Sequence, residues 1–221
     1  YYMVRASNRY LALKRIADIN PNVYGIVFCR TRREAKDIAD RLIQDGYNAD
    51  ALHGDLSQAQ RDTVMDKFRR GQLQLLVATD VAARGIDINE LTHVINYNLP
   101  DDPEVYVHRS GRTGRAGNQG VSIIIAHSRE GRRIRELERL IQKPIVQKLV
   151  PTGEEIVEKR LFSSIEKIEN IEVDEAQIAP FMDTISEKLS WMDRDELLRR
   201  FVSLEFNTYL EYYKNAPDLN E

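Results

Sequence analysis

The sequence contains a single cysteine and no long hydrophobic run. Cys29 cannot form a disulfide within the chain, which is typical of proteins from a reducing cytoplasm. No apolar stretch approaches the ~20 residues that span a membrane, and no signal peptide is visible, so no membrane partner is expected. The chain starts at Tyr1 rather than at methionine, which predicts that it is a piece of a longer protein.

The 221 residues are 42% hydrophobic and 30% charged, as in globular proteins, and the net charge of −3 is unevenly spread. Residues 152–221 contain 8 Lys/Arg and 17 Asp/Glu, a net charge of −9, which leaves +6 for residues 1–151. This asymmetry predicts two units, 1–150 and 151–221, with different partners. The basic unit suits nucleic acid, and the acidic unit suits protein.

Strand and helix patterns alternate through residues 1–150. The continuous apolar run 23–29 suits a parallel strand that is buried on both faces. Residues 73–79 give the strongest strand pattern of the chain, and 91–97 give another. Helical patterns separate the strands. These cover 8–19, 31–44, 57–70 and 129–141. The alternation predicts an α/β fold with a mostly parallel sheet and helices on both faces.

The pattern changes after Thr152 to three helices, at roughly 153–170, 175–190 and 194–214. The last of them carries apolar residues on more than one face, among them Phe201, Leu204, Tyr209 and Tyr212. This surplus predicts a small all-α module that forms a homodimer through 152–221. The alternative is that these side chains fill the module's own core or pack on the first unit.

Residues 108–117, His-Arg-Ser-Gly-Arg-Thr-Gly-Arg-Ala-Gly, place Arg109, Arg112 and Arg115 at every third position, with glycines between them. Crowded guanidinium groups repel one another unless an anion lies among them, and their planar donors match phosphate oxygens. The glycines allow tight turns. The stretch therefore indicates a site for a nucleotide or a nucleic-acid backbone, and the alternative is a solvated basic loop.

A second polar cluster follows the strongest strand pattern, at residues 78–87. It contains the hydroxyl of Thr79, the carboxylates of Asp80 and Asp87, and Arg84 and Gly85. Ligands bind beyond the carboxyl ends of parallel strands. The pattern alone allows a metal or sugar site as well as a nucleotide site.

Residues 108–117 closely resemble motif VI of superfamily 2 helicases, with the family pattern His-Arg-x-Gly-Arg-x-Gly-Arg. The initial His108 favours DEAD-box RNA helicases over DNA helicases of the superfamily. Residues 78–87 resemble motif V of the same family, 28–31 resemble motif IV, and 58–61 match its Gln-x-x-Arg element. The four motifs stand in family order within 1–150, and the resemblance implies a C-terminal RecA-like domain. Residues after 152 match only loosely a dimerisation module of some bacterial members.

The resemblance implies roles on the nucleotide side. Arg112 and Arg115 would be arginine fingers that reach the γ-phosphate of ATP. Gly85 and Asp87 would lie near the nucleotide, with Asp87 accepting from ribose hydroxyls.

On the RNA side, the resemblance implies phosphate contacts by Thr79, and Arg30 and Arg61 are candidate phosphate contacts in the other two matching elements. His108 and Arg109, together with Arg84, would couple the nucleotide side to the RNA side and to a partner domain.

The sequence lacks a Gly-x-x-x-x-Gly-Lys-[Ser/Thr] phosphate loop and an Asp-Glu-Ala-Asp metal site. The family carries both on a preceding N-terminal RecA-like domain, so ATP with Mg²⁺ would be bound mainly there. No histidine or cysteine in this chain has metal-ligand spacing, so no metal site is expected here. We therefore expect the second half of an ATP-dependent RNA helicase that is inactive alone. The alternative is a noncatalytic RNA-binding scaffold with a RecA-like fold.

Overall fold

The computed structural model describes residues 1–84, 91–114 and 119–220. They form two compact units. The first contains Tyr1–Val150 together with Leu219 and Asn220, and the second contains Pro151–Asp218.

The first unit is built on a six-stranded parallel sheet with strand order β1-β6-β5-β2-β4-β3. The strands are β1 (Tyr2–Met3), β2 (Gly25–Phe28), β3 (Ala49–Leu52), β4 (Leu75–Ala78), β5 (His93–Asn96) and β6 (Val121–Ala126). The expected parallel α/β fold is confirmed. All four residues of β2 are buried, because both of its neighbours are strands and helices cover both faces. A Cβ at Gly25 would lie 2.4 Å from the carbonyl oxygen of His93, so only glycine fits beside β5.

Six α-helices surround the described part of this sheet. They are α1 (Arg9–Ile19), α2 (Arg32–Gln44), α3 (Gln58–Arg69), α4 (Asp80–Ala83), α5 (Pro103–Ser110) and α6 (Gly131–Ile141). One-turn 3₁₀ helices precede α1 and α6. The sequence patterns predicted neither α4 nor α5.

Alternate strand residues enter separate cores, as the two-residue period of a strand requires. Val27 and Val77 pack with α1 and α2, whereas Ile26 and Leu76 pack with α3. A third cluster joins β6 to α5 and α6 around Ile124. The helices therefore cover both faces, as expected.

Helix α2 begins at Thr31, whose hydroxyl accepts from the N–H of Glu34 at 3.1 Å. The Glu34 carboxylate accepts from the backbone N–H of Arg30, at 3.0 Å, and from the side-chain amide of Asn98, at 3.1 Å. The Glu34 side chain thus links the start of α2 to Asn98, two residues after β5, and it does not complete a capping box.

The second unit has three helices, α7 (Gly153–Asn170), α8 (Glu175–Leu189) and α9 (Arg194–Tyr213), as predicted. Thr152 and Glu155 form a capping box at α7. The buried apolar side chains of these helices are few, namely Ile156, Phe206 and Tyr213, and none belongs to α8. Among the described residues, no helix combines the length and apolarity needed to cross a membrane.

Candidate active site at the carboxyl edge of the sheet

Parallel strands bring their carboxyl ends to one edge of the sheet, and polar residues follow three of these ends. Arg30 lies two residues after β2, Thr79 directly after β4, and Asn98 two residues after β5. Strand β2 lies between β4 and β5, so the three ends are neighbours. This is the edge where open α/β sheets bind ligands.

The most extensive polar contact at this edge is made by Arg109, in the last turn of α5. Its Nε and Nη2 donate to the two carboxylate oxygens of Asp80 at 2.6 and 2.7 Å. Its Nη1 donates to Oδ1 of Asn96 and to the carbonyl oxygen of Asn98, both at 3.0 Å. The guanidinium carbon lies 4.9 Å from the ring centroid of Phe28. Arg109 is 3% exposed, so Asp80 neutralises its buried charge within the unit.

A cleft of about 420 Å³ lies beside this ion pair. His108, Arg84 and Arg112 line it together with Arg109. His108 and Arg84 are exposed, and Arg112 is half-buried. The structure therefore gathers the three predicted coupling residues and one predicted finger around a single cleft. A concentration of cationic side chains in a concave surface favours an anionic ligand.

The backbone that carries Arg112 is fixed by local contacts. The N–H of Arg112 donates to the carbonyl oxygen of Arg109 at 3.1 Å. The hydroxyl of Thr113 donates to the carbonyl oxygen of Leu91. A Cβ at Gly120 would lie 2.1 Å from Oγ1 of Thr113, so a side chain at this position would displace the loop.

The side chain of Arg30 is accessible to a ligand, but its backbone N–H is already hydrogen-bonded. Its N–H already donates to Glu34 and to Oδ1 of Asn98, so this amide is not part of an anion site at the start of α2. The guanidinium is half-exposed and lies 3.3 Å from Asp101, which also binds Arg133 at 3.0 Å. Exposed pairs of this kind are weak, and a phosphate can replace the carboxylate.

Thr79 and Arg61 lie at the two ends of α4. Thr79 precedes this helix, and its side chain does not cap it. Arg61 reaches across from α3, and its Nη2 donates to the carbonyl oxygen of Ala82 at 3.2 Å. Both predicted RNA contacts are therefore placed beside the segment that begins with Asp80.

Burial raises the pKa of two titratable groups behind the site. It raises the pKa of the Cys29 thiol well above its usual value, and the nearby Glu34 carboxylate raises it further, while Arg109 opposes the shift. Burial also raises the pKa of Tyr97 to about 12. Neither group competes with Asp80 for the charge of Arg109 at neutral pH.

Three predicted site residues, Gly85, Asp87 and Arg115, lie outside the described residues. Within the described ranges, no group of three or more His, Cys, Asp and Glu side chains is placed to hold a metal ion.

Sequence reasoning missed the residues that hold Arg109. Asp80 was recognised only as one of two carboxylates after a strand, and Asn96 and Asn98 were not singled out. The spacing of the three arginines gave no signal that Arg109 differs from Arg112. A better signal was Asp102-Pro103, a helix start that predicts α5. In this helix Arg109 lies three residues after the buried Tyr106 and therefore on the same face.

Two family models match the chain. One is the helicase conserved C-terminal domain, over residues 8–117, and the other is the helical domain of a probable ATP-dependent RNA helicase, over residues 156–214. The chain also resembles the crystal structure of the E. coli DEAD-box protein SrmB bound to regulator of ribonuclease activity A. The identity is 32% and the TM-score 0.63, over 67% of this chain and 87% of that one. The chain belongs to the DEAD-box helicase family.

The chain is also similar in sequence and structure to other DEAD-box proteins. S. cerevisiae Dbp5 bound to RNA and ADP BeF3 is 31% identical with a TM-score of 0.61, over 76% of this chain and 42% of that one. The DEAD-box ATP-dependent RNA helicase CshA of Geobacillus kaustophilus is 44% identical over 77% of this chain. The matched region spans 37% of that protein's length. This DEAD-box chain therefore corresponds to the C-terminal half of the helicase core, with the RecA-like fold that the sequence predicted.

Proposed function

We propose that the whole protein is an ATP-dependent RNA helicase of the cytoplasm, and that this chain is the second RecA-like half of its core. The observation that carries the proposal is the cleft beside α5, where His108, Arg84 and Arg112 surround a concave surface at the ligand-binding edge. The similar proteins support the choice of ligands, since CshA is an ATP-dependent RNA helicase and Dbp5 is bound to RNA and ADP BeF3.

In this proposal, ATP with Mg²⁺ is held mainly by an N-terminal RecA-like domain that faces the cleft. Arg112 and Arg115 supply positive charge to the γ-phosphate, where negative charge develops during phosphoryl transfer. Gly85 and Asp87 contact the nucleotide. His108 and Arg84, which are exposed at the cleft, contact the other domain when the two halves close.

RNA is proposed to cross the same edge at the ends of β2 and β4. Thr79 offers a hydroxyl, and Arg30 and Arg61 offer guanidinium groups, all of which match phosphate oxygens. Contacts of this kind carry no base information, which suits an enzyme that acts on duplexes of any sequence.

Substitution of the fingers tests the proposed reaction. In the full-length protein, Arg112→Ala or Arg115→Ala should lower RNA-stimulated ATP turnover by roughly 10³-fold, because each removes charge stabilisation from the transition state. The measurement is phosphate release at saturating ATP and RNA. Arg132→Ala is the matched control, since Arg132 is an exposed arginine of the same unit that pairs with Glu136. Turnover that survives both finger substitutions would contradict the finger assignment, whereas a wild-type protein without turnover would favour the noncatalytic scaffold.

The RNA contacts predict a change in salt dependence. Arg30→Ala and Arg61→Ala should each weaken RNA binding alike for all sequences. For single-stranded RNA, each should reduce the magnitude of the slope of log K for binding against the log of salt concentration by about 0.7. Asp101→Asn should act in the opposite direction and tighten binding, because it frees the Arg30 guanidinium from its carboxylate. Fluorescence anisotropy over a salt series measures all three variants. A base-specific loss, or weaker binding by Asp101→Asn, would contradict the assignment.

We also propose that residues 152–221 form a homodimer. The 15-residue helix α8 has no buried residue, and Phe181 is 63% exposed while Leu204 of α9 is 83% exposed. Other large apolar side chains of this unit are also exposed, including Phe162, Ile168, Ile171, Val173, Met182, Ile185, Trp191, Leu197, Leu198, Leu210 and Tyr212. So much apolar surface exceeds what soluble monomers usually expose. In a two-fold dimer, the same apolar patch of the two subunits would pack together and be buried. The net charge of −9 disfavours RNA as the occupant.

Sedimentation equilibrium of the 221-residue chain tests the dimer. A dimer is expected at about 10 μM, since several buried apolar side chains at ~1.5–3 kcal/mol each outweigh the entropy of association. Phe181→Asp with Leu204→Asp should yield a folded monomer, because both side chains are exposed in the single chain. Ile43→Asp, at an exposed apolar residue of the first unit, should leave the dimer intact. A wild-type monomer at tens of micromolar, or a dimer that persists in the double variant, contradicts the proposal.

A further inference from the structure

Arg133, in the first turn of α6, shares a carboxylate with the proposed RNA contact Arg30. Nη2 of Arg30 lies 3.3 Å from Oδ1 of Asp101, and Nη2 of Arg133 lies 3.0 Å from the same oxygen. The two nitrogens are therefore separated by no more than these two distances together. Hydrogen bonds to two oxygens of one phosphate span a similar distance, so a single phosphate can touch both guanidinium groups.

The backbone segment after β5 anchors both guanidinium groups. Nη2 of Arg30 donates to the carbonyl oxygen of Leu99 at 3.4 Å, and Nη2 of Arg133 donates to the carbonyl oxygen of Pro100. These two carbonyls are consecutive along the chain. The side chain of Asn98 fixes the start of the segment, because its Oδ1 accepts from the N–H of Arg30 at 2.9 Å. Both guanidinium groups are therefore held in place by contacts other than the shared carboxylate.

Each guanidinium group keeps donors for a ligand. A guanidinium has five N–H donors, and the hydrogen bonds that the side chains of Arg30 and Arg133 make with described residues all use Nη2. Nη1 of Arg133 lies 3.8 Å from Oε1 of Glu130, which is beyond hydrogen-bond distance. Nε and Nη1 of both arginines are thus left to bind oxygen atoms of a ligand.

The shared carboxylate can be displaced by another anion. The Asp101 side chain is 79% exposed, so it can rotate into water, and exposed ion pairs contribute little stability. The cluster also carries surplus positive charge. Its arginines are Arg9, Arg30 and Arg133, and its carboxylates are those of Asp101 and Glu130. One positive charge is therefore left over among these five residues, which favours an anionic ligand.

Arg133 also continues the line of the proposed RNA contacts. The carboxyl ends of β4, β2, β5 and β6 follow one another along the sheet. Thr79 comes directly after β4 and Arg30 two residues after β2, whereas Arg133 belongs to the helix that follows β6. Neighbouring strands are about 4.8 Å apart, so a strand of RNA that runs along this edge reaches β6 about 10 Å beyond β2.

We propose that Arg30 and Arg133 together bind one phosphate of the RNA backbone, and that this phosphate displaces the carboxylate of Asp101. The inference rests on the proposed helicase function and adds Arg133 to its RNA-binding surface. Guanidinium donors match phosphate oxygens in geometry and charge. The two arginines form a clamp that requires both side chains, and the contact carries no base information.

Fluorescence anisotropy of the full-length protein on labelled oligouridylate, over a salt series without nucleotide, tests the clamp. Arg133→Ala should raise the Kd about tenfold, because charge-assisted hydrogen bonds are lost. It should also reduce the magnitude of the slope of log K for binding against the log of salt concentration by about 0.7, as one phosphate contact is lost. Arg30→Ala combined with Arg133→Ala should reduce this magnitude by the same amount and not by twice as much, because one phosphate needs both residues.

Arg132→Ala is the matched control, since Arg132 is the neighbouring arginine of α6, its side chain is exposed, and it pairs with Glu136. It makes the same change in net charge and should leave both the Kd and the slope unchanged. Arg133→Gln controls for a folding defect, because its side-chain amide can still donate to the carbonyl oxygen of Pro100. This variant should melt at the wild-type temperature and lose RNA affinity as Arg133→Ala does.

Three results would overturn the clamp. These are wild-type RNA binding by a folded Arg133→Ala or Arg133→Gln variant, an equal loss of binding in Arg132→Ala, and a slope change in the double variant that is twice that of either single variant. If Arg30→Ala itself leaves RNA binding unchanged, the proposed RNA contact at the end of β2 is wrong, and the clamp fails with it. A loss of binding in Arg30→Ala with none in Arg133→Ala overturns the clamp alone.

Discussion

The structure of the site depends on one ion pair, the fork of the buried Arg109 on the more exposed Asp80. A buried guanidinium without a counter-charge costs several kcal/mol, so α5 can dock on the sheet only where a carboxylate and carbonyl oxygens receive it. The ends of β4 and β5 supply both. That requirement sets the position of α5, and with it the cleft that His108 and Arg112 line.

The two units differ in how much of their apolar surface they bury. The first unit buries its apolar residues against both faces of a parallel sheet, and its net positive charge suits phosphate ligands. The second leaves most of its large apolar side chains exposed and carries strong negative charge. This difference is the basis for our proposals that the first unit meets ATP and RNA and that the second pairs with a second copy of itself.

Much of the fold could be predicted from the sequence, because buried parallel strands read as apolar runs and helices begin at recognisable caps. Strands β2, β4 and β5 and helices α7 to α9 lie within the predicted ranges. Helix α5 was not predicted because its arginine- and glycine-rich end resembles a loop. The partner of Arg109 could not be predicted, since Asp80 lies 29 residues earlier and no local spacing links them. The contact between the Glu34 carboxylate and the side-chain amide of Asn98 could not be predicted for the same reason, since 64 residues separate them in sequence.

We propose that ATP hydrolysis requires this domain and a second RecA-like domain together. The most direct measurement is phosphate release by the purified 221-residue chain with ATP, Mg²⁺ and RNA, beside the full-length protein under the same conditions. We expect RNA-stimulated release by the full-length protein and none above background by the chain alone. RNA-stimulated release by the 221-residue chain that is abolished by Arg112→Ala would contradict the two-domain proposal.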